Sequence, residues 1–139
     1  MNRRVLAFTL LAVVTAFMWS DSVIDWWQTA LDFFLRMNEG VTESVLETRP
    51  GNDVDLHVLV WATTSLVFAW AFRSKWIHAL FSLLLWSAVV ETLQPVFTEI
   101  RSRQLADYVG NAIGVITTAF VVGVIARVRG ANQPSSPAR

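Results

Sequence analysis

The apolar residues of this chain form long segments that short polar stretches separate. Four segments stand out, at residues 5–19, 56–72, 76–93 and, roughly, 108–126. The last three hold 17, 18 and 19 residues. A helix of that length can span about 30 Å of hydrocarbon with little tilt. The pattern therefore predicts an all-α protein, a polytopic membrane helical bundle.

The first segment is shorter and admits two interpretations. Its length fits either a short transmembrane helix or the core of a signal peptide. Residues 16–20, Ala-Phe-Met-Trp-Ser, lack the small-x-small pattern that signal peptidase prefers. This ending favours a retained helix, which brings the expected number of transmembrane helices to four. Cleavage of residues 1–20 stays open as the alternative.

Residues 21–37 show the period of an amphipathic helix. The polar face carries Asp25, Gln28, Asp32 and Arg36, and the apolar face carries Val23, Trp27, Leu31 and Phe34. Because Trp26 and Trp27 lie in the first turns, the helix is expected in the extracytoplasmic membrane interface, where indoles prefer to lie. The alternative is a helix that packs on the bundle through the same apolar face.

The composition agrees with a membrane protein, since 54% of the residues are hydrophobic and only 16% are charged. The formal net charge is zero, but the charges are sorted along the chain. With both termini inside, the cytoplasmic pieces contain no acidic residue and seven of the eleven basic ones: Arg3, Arg4, Arg73, Lys75, Arg127, Arg129 and Arg139. The positive-inside rule then predicts a multi-pass membrane protein with cytoplasmic N- and C-termini.

Two features limit the classes of function. The basic residues form only a thin cytoplasmic fringe, so nucleic acid is not an expected partner. The chain has no cysteine, which removes disulfide and thiolate chemistry. Residues 131–139 lack apolar periodicity and are expected to form a disordered cytoplasmic tail, which leaves residues 1–130 as a single transmembrane domain.

Residues 91–114 place polar side chains inside two apolar segments. Glu91 and Gln94 lie near the end of one segment, and Asp107 and Asn111 lie at the start of the next. Ionisable groups at such depths are costly and usually functional. Pro95 lacks an N–H group and disfavours helix in the preceding residue, so the first of the two helices is expected to stop near residue 93 or 94. The prediction is a polar hairpin at the outer surface.

The predicted topology brings a second polar pair to the same surface. Asp53 and His57, four residues apart, lie at the start of the second transmembrane helix. The starts of the second and fourth helices and the end of the third then meet at one face of the membrane. The candidate ligand-binding or functional cluster is Asp53, His57, Glu91, Gln94, Arg101, Asp107 and Asn111.

The order and spacing of these residues resemble the VanZ-like family, small bacterial membrane proteins named for a teicoplanin-resistance component. The pattern is Asp53-x3-His57-x3-Trp61, Glu91-x2-Gln94, and Arg101-x5-Asp107-x3-Asn111-x2-Gly114, within about residues 53–118. The loop before the arginine departs from the family pattern, so Arg103 is an alternative to Arg101. The resemblance implies a protein of the bacterial cytoplasmic (inner) membrane and envelope biology linked to glycopeptide resistance, with no agreed reaction.

Each candidate also has a structural interpretation. Glu91 can pair with His57 or an arginine to fix helix register, and Asp107 can cap the fourth helix. Gln94 and Asn111 can form interhelical hydrogen bonds, and Gly110-x3-Gly114 can let helices approach closely. His78, near the cytoplasmic end of the third helix, is interpreted as structural.

Three hypotheses for function follow from these residues. The first is a binding site for an envelope or lipid head-group ligand, with membrane lipids and an anionic envelope ligand or glycopeptide as partners. The second is a membrane enzyme that uses His57 and Glu91 as acid and base, or His57, Glu91 and Asp107 as metal ligands. The third is a scaffold of a membrane complex. Binding ranks first because the chain has no nucleophile motif, and no metal or other cofactor is assigned.

Overall fold

In a computed structural model, the described residues are 2–36, 54–99 and 104–131, and within them the chain is helical with no strand. The elements are α1 Arg3–Met18, α2 Ser22–Arg36, α3 Val54–Ala71, a 3₁₀ turn Arg73–Lys75, α4 Trp76–Phe97 and α5 Leu105–Ala131. The all-helical class predicted from the sequence is confirmed. The predicted tail 131–139 lies outside the described residues except for Ala131.

Three helical stretches are long and apolar enough to cross a membrane: Val54–Ala71, Arg73–Phe97 and Leu105–Arg129. They correspond to the second, third and fourth segments of the sequence pattern, so the expected membrane protein is confirmed at this level. Helix α1 has 16 residues and is not among the three.

The bundle buries ionisable and amide side chains, whereas many of its large apolar side chains are exposed. Phe81 on α4 and Phe120 on α5 are 61% and 71% exposed, whereas Glu91 is 1% exposed and His57 is fully buried. In water this distribution would leave a large apolar surface exposed, which soluble monomers avoid. In lipid the same surface faces hydrocarbon, and ionisable groups face the bundle interior.

Helix α3 is the centre of the bundle, since α1, α4 and α5 all pack against it. Its closest neighbour is α5, because Gly110 and Gly114 of α5 lie directly against the α3 backbone. A Cβ atom at Gly114 would lie 2.5 Å from the Val58 carbonyl oxygen, and one at Gly110 would lie 2.9 Å from the Val54 carbonyl oxygen. The expected role of these glycines in close helix packing thus has a direct geometric basis.

Helix α1 is joined to α4 by three side-chain hydrogen bonds near one end. The indole of Trp19 donates to the Val90 carbonyl at 3.0 Å, the indole of Trp86 donates to the Thr15 hydroxyl at 3.0 Å, and Gln94 donates to the Met18 carbonyl at 3.1 Å. At the other end, the guanidinium groups of Arg3 and Arg4 lie over the rings of Trp70 and Phe72. Helix α1 therefore runs alongside the bundle between these two ends.

Helix α2 occupies Ser22–Arg36, close to the predicted 21–37. Val23 is buried, whereas the indole of Trp26 is 73% exposed. The Trp27 indole donates to Asp55 Oδ1 at 3.2 Å, which ties α2 to the first turn of α3. The helix therefore contacts the bundle through one side and presents an aromatic side chain outward.

The predicted end of α4 near residue 93 or 94 is wrong, because the helix continues through Pro95 to Phe97. Proline has no N–H group to donate to the carbonyl four residues earlier, here that of Glu91. The helix tolerates this loss close to its C-terminus. The last turn is closed by Thr98, whose backbone N–H and hydroxyl both donate to the Gln94 carbonyl, at 3.0 and 2.9 Å.

Candidate functional site at one end of the bundle

Five of the sequence-predicted residues are buried together where α3 begins, α4 ends and α5 begins. They are His57, Glu91, Gln94, Asp107 and Asn111, and none is more than 2% exposed. We call this group the polar cluster. His57 lies in the first turn of α3, Glu91 and Gln94 share one face of α4, and Asp107 and Asn111 share one face of α5.

The imidazole of His57 is held by Asn111. Its Nδ1 atom lies 2.8 Å from Asn111 Oδ1. Because an amide oxygen only accepts hydrogen bonds, Nδ1 carries the proton in this contact. In the neutral imidazole the other ring nitrogen, Nε2, then keeps its lone pair.

The two carboxylates lie at different nitrogens of the same imidazole. Glu91 Oε2 is 3.7 Å from Nδ1, and Asp107 Oδ1 is 3.9 Å from Nε2. Both distances exceed the range of a hydrogen bond, which ends near 3.2 Å. His57 therefore lies between two carboxylates at ion-pair distance.

The close contact of α5 with α3 positions Asn111 next to His57. A Cβ atom at Gly110 would lie 3.1 Å from the His57 Cβ atom, so a larger residue there would push the helices apart. The neighbouring Asn111 reaches His57 because this gap is small. Pro95 affects the backbone of Glu91 on α4. Because proline has no N–H group, it cannot donate the helical hydrogen bond that the Glu91 carbonyl would otherwise accept from residue 95.

Two amide atoms of the polar cluster are buried without a hydrogen-bond partner among the described residues. These atoms are Gln94 Oε1 and Asn111 Nδ2. Deeper in the bundle, on α3, Trp61 Nε1 and Ser65 Oγ are also buried without a hydrogen-bond partner among the described residues. Trp61 and Ser65 were not predicted as site residues, although their spacing of four and eight residues from His57 places them on the same helix face.

The interpretation of Asp107 as the N-cap of the last helix is wrong in position. Helix α5 begins at Leu105, so Asp107 is its third residue, and its backbone N–H donates to the Gln104 carbonyl at 3.2 Å. A carboxylate in the first turn still interacts favourably with the helix dipole. The Asp107 side chain, 2% exposed, is directed towards His57.

Asp53, Arg101 and its alternative Arg103 fall outside the described residues. His78 lies at the opposite end of α4, where its exposed side chain lines an apolar groove of about 380 Å³ between α1, α3 and α4. The second histidine of the chain is therefore not part of the polar cluster.

The comparisons with known proteins give no match. No family model, curated protein or solved structure corresponds to this chain. The resemblance to the VanZ-like family therefore stays a prediction from the sequence motifs, and function has to be inferred from the polar cluster itself.

The polar cluster has the groups for three kinds of chemistry. Its amide and carboxylate groups can bind a polar ligand by hydrogen bonds. The imidazole can exchange a proton while the carboxylates stabilise its charged form. His57, Glu91 and Asp107 also each offer one ligand atom for a metal ion, all within 4.8 Å of one another.

Proposed function

We propose that this chain is a VanZ-like protein of the bacterial inner membrane that binds the polar head group of an envelope amphiphile in the polar cluster at its extracytoplasmic end. The observation that carries the proposal is the convergence of five buried polar side chains at one end of an apolar bundle. The function linked to this site is glycopeptide resistance of the teicoplanin type, as the family resemblance implies.

Binding fits the polar cluster better than a purely structural role. Burying an amide atom without a hydrogen bond costs about 1–3 kcal/mol, so a cluster that only fixes helix register should satisfy its members internally. Gln94 Oε1 and Asn111 Nδ2 have no such partner among the described residues. A ligand that offers one donor and one acceptor would satisfy both atoms.

The chemical class of the ligand follows from these groups. Gln94 Oε1 accepts a hydrogen bond and Asn111 Nδ2 donates one. Hydroxyl and amide groups, which envelope glycans and peptides carry, provide both partners. An anionic ligand would also need a cation, which the sequence supplies in Arg101 or Arg103.

A fourth transmembrane helix is part of the proposal. Helix α1 is about 24 Å long at about 1.5 Å per residue. It lies against α3 and α4, with Arg3 near Trp70 at one end and Trp19 bonded to the Val90 carbonyl at the other. These contacts lie at both ends of α1, which supports a retained span. Helix α2, with its exposed Trp26, is then the interfacial helix on the extracytoplasmic side.

The proposed orientation has both termini in the cytoplasm. Arg73 and Lys75 lie in the turn between α3 and α4, at the end of the bundle opposite the polar cluster. Arg127 and Arg129 lie near the C-terminal end of α5 and are exposed. The positive-inside rule places these basic residues in the cytoplasm, and the polar cluster then faces outward.

Cysteine labelling tests this orientation, and the natural chain has no cysteine to interfere. We expect Ser74→Cys to react only with reagent on the cytoplasmic side, because it lies in the turn between α3 and α4. We expect Gln104→Cys to react with membrane-impermeant maleimide added outside, because it precedes α5 at the polar-cluster end. Ser74→Cys labelled only from outside, or Gln104→Cys only from inside, would contradict the topology.

Mass spectrometry tests the proposed binding. The protein purified from bacterial membranes in mild detergent is expected to retain an envelope lipid or lipid-linked envelope precursor. Asn111→Ala and Gln94→Ala should each weaken its binding about tenfold, the effect of losing a hydrogen bond of about 1.4 kcal/mol, and so lower the amount that is retained. The matched control is Gln28→Ala, at an exposed glutamine of α2. The same lipid complement in all four proteins would contradict the proposal.

The enzyme hypothesis rests on one specific feature, the Nε2 atom of His57. In the neutral imidazole that atom keeps its lone pair and lies 3.9 Å from Asp107 Oδ1, so it can take a proton whose charge the carboxylate would stabilise. The sequence has no nucleophile motif for such a base to activate. Binding is therefore the proposed function, and proton transfer is the second candidate.

A further inference from the structure

Three side chains of different helices present metal-ligand atoms around one point. His57 comes from α3, Glu91 from α4 and Asp107 from α5, and all three are buried. Their ligand atoms lie within 4.8 Å of one another. Buried imidazole and carboxylate groups that converge in this way are the donors that Zn²⁺ and related first-row cations take in proteins.

The distance between His57 and Asp107 fits two ligands of one cation. Two ligands that each bind a cation at about 2.0–2.2 Å lie about 3.3–4.4 Å apart for angles from tetrahedral to linear. Asp107 Oδ1 lies 3.9 Å from Nε2, which is within this range. Glu91 Oε2 lies 3.7 Å from the other ring nitrogen, Nδ1, so the Glu91 side chain has to turn towards Nε2 to complete the set.

Asn111 supplies the outer contact that a metal-binding histidine normally has. Ligating histidines donate the N–H of the second ring nitrogen to a carboxylate, carbonyl or water, which fixes the tautomer. Here Nδ1 donates to Asn111 Oδ1 at 2.8 Å, so Nε2 is the ligating nitrogen. Asn111 Nδ2, buried and without a partner among the described residues, is a donor left for a water or ligand beside the cation.

We propose that His57 Nε2, Glu91 and Asp107 bind one divalent transition-metal cation, with Zn²⁺ the best match to one nitrogen and two oxygen donors. The two carboxylates balance the double charge of the ion. Three protein ligands leave one tetrahedral position open, as in zinc sites that take a substrate. This inference rests on the proposed function, because the open position is where a hydroxyl or other oxygen of the head group would bind.

Direct metal binding tests the inference. The purified protein is stripped with chelator, titrated with Zn²⁺ against a chromophoric competitor, and analysed for bound metal after desalting. We expect one Zn²⁺ per chain in the natural protein, and at least about a hundredfold weaker binding in Asp107→Asn and His57→Gln. Asn111→Ala should keep the one-to-one stoichiometry but bind about 10- to 100-fold more weakly, as the loss of an outer contact does.

Matched controls separate the site from non-specific binding. His78→Gln removes the other histidine, and Asp25→Asn removes an exposed carboxylate on α2. Both should bind Zn²⁺ like the natural protein. Circular dichroism and a single gel-filtration peak establish that each variant is folded, and Zn²⁺ should raise the melting temperature of the natural protein but not of His57→Gln.

The outcomes also separate this inference from the proposed function. No stoichiometric Zn²⁺ in the natural protein, or equal losses in His57→Gln and His78→Gln, would overturn the metal site. If Zn²⁺ does not bind while Asn111→Ala and Gln94→Ala still lose the co-purifying lipid, the head-group proposal stands and the metal inference fails. If Zn²⁺ binds as expected but no lipid is lost in those variants, the metal site stands and the head-group proposal fails.

Discussion

Glu91→Gln is expected to abolish function while the bundle stays folded and inserted. Glutamine keeps the shape of the side chain and removes only its charge, and Glu91 is 1% exposed at the centre of the polar cluster. Function is measured as the teicoplanin-resistance or envelope phenotype of expressing cells and as the retained lipid. Stability is measured as the melting temperature of the metal-free protein in detergent, which we expect to change little.

The same measurements distinguish a site residue from a structural one. If Glu91 served only to pair with a buried cation, its loss would cost about 3–5 kcal/mol and would lower the melting temperature strongly. The matched control is Glu99→Gln, because Glu99 is an exposed glutamate two residues past the end of α4. It should keep both function and stability. Full activity in Glu91→Gln and in Glu91→Ala would remove Glu91 from any site.

Gly114→Ala is expected to destabilise the bundle by about 1–3 kcal/mol, the usual cost of overpacking. The added Cβ atom would lie 2.5 Å from the Val58 carbonyl oxygen and 2.9 Å from the Ala62 backbone nitrogen. Both neighbours are backbone atoms of α3, so the helices themselves must separate. Chemical or thermal unfolding in detergent measures the loss.

Gly123 on the same helix provides the control for that substitution. A Cβ atom there would meet only the ring of Trp76, at 3.7 Å, which is ordinary contact. Gly123→Ala should therefore be neutral or stabilising by up to about 1 kcal/mol, since alanine is the better helix former. Equal effects of the two substitutions would contradict the close packing of α5 on α3.

The helices and the composition of the polar cluster could be predicted because polar residues in apolar segments are easily recognised. Glu91, Asp107 and Asn111 stand out in segments that otherwise contain residues suited to lipid. Once α3 to α5 are antiparallel neighbours, residues at alternate segment ends must meet at one surface. His57 follows by the same argument, since it lies at the start of α3.

Other features could not be predicted because they depend on packing between helices. The sequence places a proline at position 95 and predicts a helix end there, but the last turn is closed by Thr98. The bonds from Trp19 and Trp86 that join α1 to α4 need the position of α1, which periodicity does not supply. Which ring nitrogen of His57 lies near Asn111 and which lies near Asp107 likewise depends on the distance between α3 and α5. Gly110 and Gly114 determine that distance.

An experimental structure of the protein purified gently from its native membrane would show directly whether a ligand occupies the polar cluster. We expect non-protein density there, in contact with Asn111 Nδ2 and Gln94 Oε1 and continuous with an amphiphile that extends into the outer leaflet. A well-ordered structure in which the polar cluster contacts only protein side chains, with both amide atoms hydrogen-bonded within the chain, would contradict head-group binding. The polar cluster would then have only a structural role in helix packing.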